Sequence, residues 1–136
     1  MSDYGSGGAA AAECPGWGTL VTGTLNDANP DDEITTTKSG ALCFIGISLE
    51  NMENTDDFDI ELSRWDGTAW RLYKKYGITK LAGAILIDTG GGATVQNLDE
   101  LNLENINLDS TRKLQLKLTR NSGIDKNFPY WYNKQE

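Results

Sequence analysis

The chain has 136 residues, a net charge of −8, 38% hydrophobic residues and no histidine. That charge repels phosphate and so excludes nucleic acid and anionic membrane as expected partners, while the missing imidazole removes the commonest acid–base group and the His-dependent nucleophile systems. No apolar run approaches the roughly 20 residues that would cross a bilayer as a helix, and the length suits one domain with a real core.

In chain order, residues 1–16 read as a flexible N-terminal arm, with Gly5, Gly7 and Gly8 followed by the alanines 9–12. Four alanines are too few to hold a helix in water, because nucleation is costly. The Met1-Ser2 start, with neither a basic nor a long apolar leader after it, does not read as a secretory signal. Tyr4 and Trp17 are the bulky side chains of this region and are expected partner contacts, Trp17 plugging the point where arm meets body. Cys14 and Cys43 are compatible with one disulfide, although Cys43 lies in an apolar run that suits a buried thiol.

A β-sandwich domain is expected over residues 17–125. Thr19 to Leu25 reads as a strand, residues 26–32 as a loop rich in turn formers, and Glu33 to Thr37 as a short strand turned by Ser39-Gly40. The apolar run Ala41 to Glu50 reads as a central strand. The stretch from Asp56 to Tyr76 is the strongest signal. Phe58, Ile60 and Leu62 alternate with Asp57, Asp59 and Glu61, and Asp66-Gly67 supplies a turn between Trp65 and Trp70. The two tryptophans are expected to face each other as a cross-strand pair.

Lys80 to Asp88 is nearly continuously apolar and reads as a strand buried on both faces or at a sheet centre, ending in the glycine loop 89–92. Residues 96–109 are ambiguous, with a helical turn near Leu98 to Leu101 and a strand from Leu103. Arg112 to Arg120 alternates through Leu114, Leu116 and Leu118, and residues 121–123 turn. Residues 126–136 read as an aromatic C-terminal tail in which Phe128, Tyr130, Trp131 and Tyr132 are expected partner contacts, since dense apolar patches mark contacts. The sum is an all-β, antiparallel, jelly-roll-like sandwich of about eight strands.

Motifs that carry chemistry are weighed against this scaffold. Ile85 to Gly90 ends an apolar strand in Asp-Thr-Gly and resembles the signature of retroviral-type aspartic proteases, but Gly91 replaces the Ala or Ser of that family and no buttressing second strand follows. A glycine turn is the simpler reading. Residues 90–94 lack the lysine and the helix that a phosphate cradle uses. Carboxylates cluster at Asp31-Asp32-Glu33, at Asp56-Asp57-Asp59 and at Asp66, without calcium-loop spacing, and read as solvated loop acids. The aromatics Trp65, Trp70, Tyr73, Tyr76, Tyr130, Trp131 and Tyr132 could stack on sugars, although alternation turns half of such residues inward. No catalytic residue, cofactor or metal is expected.

Gly23-Thr24-Leu25, residues 57–62 with Asp66-Gly67-Thr68, and residues 114–118 together resemble the pre-peptidase C-terminal type of β-sandwich module. That resemblance implies a non-catalytic, secreted accessory domain. The Trp65 to Trp70 turn also resembles hairpins of bacteriophage virion proteins. The expectation that follows is a non-enzymatic virion component that decorates or cements a capsid or tail through its termini, as a homo-oligomer or with other subunits. A carbohydrate- or cell-surface-binding module, extracellular or on the cell surface, is the alternative. The acidity also suits a basic protein surface as partner.

Overall fold

The computed structural model describes residues 20–35, 41–96, 99–108 and 113–134, with side chains at all of these except 41–44, 104–108 and 134. They form ten strands in two antiparallel sheets. The strands are β1 (Val21–Leu25), β2 (Asp31–Thr35), β3 (Ala41–Ser48), β4 (Asp57–Trp65) and β5 (Trp70–Leu81). The remainder are β6 (Ala84–Asp88), β7 (Ala93–Gln96), β8 (Glu100–Leu108), β9 (Lys113–Ser122) and β10 (Phe128–Lys134). The smaller sheet has the order β1-β10-β3-β8 and the larger β2-β9-β4-β5-β6-β7. The chain crosses between sheets at β1/β2, β2/β3, β3/β4, β7/β8, β8/β9 and β9/β10. This is the expected sandwich, with two more strands than the turn signals marked.

Alternation builds the core. Phe58, Ile60 and Leu62 of β4, Leu114, Leu116 and Leu118 of β9, and Ile78 of β5 face inward from the larger sheet. Leu25, Ile45, Ile47, Leu101, Leu103 and Phe128 meet them from the smaller one. Phe58 and Phe128 touch edge-to-face across the layers, with ring centres 4.7 Å apart, an arrangement favoured by the ring quadrupoles.

Three local expectations change and one unmarked strand is added. The apolar run Lys80 to Asp88 is broken by a turn at Ala82 and Gly83, both at positive φ (51° and 81°), so it closes β5 and opens β6. Only one face of β6 is buried, through Ile85 and Ile87. The run looked uniformly apolar because Ala82-Gly83 carries no polar marker, yet a two-residue loop at positive φ suits the strand twist. Second, the helical turn expected near Leu98 to Leu101 does not form at Glu100 and Leu101, which open β8; Leu101 and Leu103 point inward at period two, and residues 97–98 lie outside the described set. The added strand is β7, which follows the glycine loop and pairs with β6 from Asp88↔Ala93 to Ile85↔Gln96. Third, the expected aromatic tail is the second strand of the smaller sheet, between β1 and β3.

The N-terminal arm, Tyr4, Cys14 and Trp17 lie outside the described residues, as does the side chain of Cys43.

Candidate functional site

The hairpin β4–β5 closes on Asp66. Its carboxylate accepts the amides of Thr68 and Ala69, each at 2.8 Å, and the Arg71 Nε at 2.7 Å. The Arg71 hydrogen bond, then the two amides, hold this carboxyl far below the usual range. Trp65 and Trp70 lie directly opposite in the ladder and meet edge-to-face at 5.5 Å, as their spacing predicts. Lys113 sits 5.9 Å above the Trp65 ring and Arg64 5.3 Å from that of Tyr73. A depression of about 220 Å³ lined by Arg64, Trp65, Asp66, Arg71, Leu72 and Tyr73 remains at the hairpin end. The aromatic faces there are engaged by each other and by cations. They do not form a row of open rings for stacking sugars, and Tyr76 is buried in the core.

The expected C-terminal contacts divide by alternation. Phe128, Tyr130 and Tyr132 are core residues, whereas Trp131 is half-buried on the outer face of the smaller sheet. The physical reason is register: β10 pairs with β1 and β3 along its length, so every second side chain must enter the sandwich. The Tyr130 hydroxyl donates to the Asp32 carboxylate on the facing sheet. Burial, then that hydrogen bond and the Asp32 charge, push the phenol well above its ordinary value. Gly23 makes room for this ring, since a Cβ there would overlap it.

Trp131 lies flat over Gly46, where a Cβ would overlap the indole. Beside it opens a cleft of about 490 Å³, lined by Ser48, Glu50, Asp99, Glu100, Pro129 and Trp131. Three carboxylates and no cation line it. Two segments far apart in sequence meet here, tied by the Leu49 amide donating to the Asp99 carbonyl at 2.8 Å. Glu50, Asp99 and Glu100 were not singled out in the sequence, because nothing local links residue 50 to residues 99 and 100. Only the β3–β8 pairing does so, with Ser48 opposite Glu100.

Several other acidic groups have structural partners. Asp56 is buried, accepts the Glu53 amide at 2.8 Å and pairs with Lys126 at 3.5 Å; Glu53 pairs with the same ammonium at 3.0 Å. Burial opposes the charge of Lys126, but Glu53 and Asp56 outweigh it and raise its pKa. Glu33 reaches Lys113, Asp59 reaches Lys75, and Asp57 accepts from Asn121. Asp88 accepts the Gly90 and Gly92 amides at 2.7 and 3.2 Å, so the Asp-Thr-Gly triplet is a turn capped by its own aspartate. Among the described residues, no three carboxylate or thiol groups converge to hold a metal ion.

No family model matches the chain, and no curated protein matches it. Among solved structures it is similar to the Drosophila NLP core, whose crystal structure is described as giving insight into pentamer formation and histone binding. The two share 14% identity over 86% of this chain and 94% of that one, with a TM-score of 0.49. The likeness is one of architecture. The expected virion component and the carbohydrate-binding alternative are corrected by the structure: the C-terminal aromatic segment behind the first is a paired strand, and the hairpin tryptophans behind the second face each other. The aromatic segment that motivated the virion reading is an interior strand instead of a free docking tail.

Proposed function

We propose that this chain is a non-enzymatic β-sandwich that works by binding, and that its partner class is a lysine- and arginine-rich protein segment. The observation that carries the reading is the cleft in which Glu50, Asp99 and Glu100 surround Trp131 and Pro129. An extended basic segment laid there places ammonium or guanidinium groups against three carboxylates, while its aliphatic stems cover the indole. The net charge of −8 adds a long-range field that draws a cation toward the chain and raises its association rate.

Titration of the full chain with a peptide of alternating lysine and arginine, followed by tryptophan fluorescence, tests the reading. Saturable binding that weakens steeply with salt is expected. Changing Glu50→Gln, Asp99→Asn and Glu100→Gln together is expected to weaken it about ten-fold or more, because desolvated charge pairs govern dissociation. Unchanged affinity in the triple variant would sink the cleft as the site.

A further inference from the structure

Among the described residues, the larger sheet has two unpaired edges at one height, and they carry opposite charge. Among the described residues, Asp31 to Ile34 of β2 pair with β9 alone, and Trp70 to Lys75 of β5 pair with β4 alone, because β6 covers β5 only from Gly77 onward. The ladder places these edges on shared rungs. Asp31 lies opposite Lys117, Lys117 opposite Glu61, and Glu61 opposite Lys75. The next rung runs Asp32, Leu116, Leu62, Lys74, and a further one Ile34, Leu114, Arg64, Arg71. One edge therefore presents Asp31 and Glu33, Asp32 being turned inward to Tyr130, and the other, in a chain of net charge −8, presents Lys74 and Lys75.

We propose that this chain assembles head-to-tail, the β2 edge of one copy adding to the β5 edge of the next. Each step from β2 to β9, β4 and β5 is antiparallel, so β5 runs opposite to β2. A second copy in the same orientation then continues the sheet antiparallel. With the rungs level, Asp31 of one copy meets Lys75 of its neighbour. Cross-strand pairs of opposite charge favour a ladder and like charges oppose it. Two β5 edges would set base against base, and two β2 edges acid against acid, so the contact is heterologous and closes into a ring or continues as a filament. Leu72 and Tyr73, 60% and 49% exposed on the β5 edge, add apolar area to the joint.

The edges of β1 and β7 carry no charged residue and offer no such complement. The present partners of the lysines do not compete strongly. Lys75 pairs with Asp59 at 3.5 Å with half of its side chain exposed, and such surface pairs contribute little. This assembly uses neither Trp131 nor the acidic cleft, so it stands apart from the binding reading above.

Sedimentation equilibrium of the full chain at low salt, over a wide concentration range, tests the proposal. A mass rising above the 14.9 kDa monomer is expected. Asp31→Lys and Lys75→Glu are each expected to weaken association about ten-fold, circular dichroism showing both folded. Combining the two changes in one chain, or mixing the two single variants, restores it, while Val95→Lys on the β7 edge leaves it unchanged. A chain that stays monomeric throughout overturns the proposal. So does loss in Lys75→Glu with none in Asp31→Lys, which would mean that β5 pairs with a different edge, such as β8 with its Glu100.

Discussion

Tyr130 joins the two sheets by donating its hydroxyl to Asp32, and its buried phenol resists ionisation. The pH consequence has a definite sign. A folded-state pKa raised above the ordinary value of 10.0 contributes stability that is present below pH 10 and lost as pH rises beyond it. Lys126, also raised from 10.5, acts in the same direction. Denaturant titrations are therefore expected to show stability falling above pH 10, and the fall is shallower in Tyr130→Phe. An equally steep fall in that variant would show that Tyr130 does not titrate differently on unfolding. Gly46 belongs to the same scale. A methyl group there must displace the Trp131 indole, so Gly46→Ala is expected to cost about 1–3 kcal/mol and to red-shift tryptophan emission as the ring lifts into water.

At the level of elements, the β4–β5 hairpin is held at its tip by one carboxylate. Asp66 accepts two amides of its own turn and the Arg71 guanidinium, and these depress its pKa from the ordinary 3.8. A depressed carboxyl contributes order that is present above the unfolded pKa and lost only as pH falls through the lower folded value. The edge-to-face contact of Trp65 and Trp70 gives an exciton signal in far-ultraviolet circular dichroism. That signal is expected to persist when the pH is lowered from 7 to 3, and to weaken in Asp66→Ala at pH 7. Its loss at pH 3 in the native chain would contradict the assigned turn geometry.

For the whole molecule, stability rests on the contact between layers. Phe58 and Phe128 are fully buried, come from different sheets and touch at 4.7 Å. Phe58→Ala leaves a void between two sheets that cannot collapse independently, and is expected to cost about 3–5 kcal/mol in chemical denaturation. Leu72→Ala, on the exposed edge of β5, is expected to change stability of the monomer by less than about 0.5 kcal/mol. Equal losses in the two variants would mean that the exposed half of β5 is covered in the folded chain.

The amino-acid sequence by itself determined the sheet class and the best hairpin. Period-two alternation in residues 57–62 and 114–118 admits one inward face only, and Asp66-Gly67 between two tryptophans sets the register through a local turn. Those signals act over a few residues, which is why they are legible. Tertiary structure decided the rest, because it depends on pairings between distant segments. The aromatic run 128–132 looks adhesive in isolation, and becomes interior only because β1 and β3 flank it. The acidic cleft exists because β3 and β8 bring residue 50 beside residues 99 and 100. The opposed charges of β2 and β5 are scattered in the chain, and the ladder through β9 and β4 alone sets them at one height.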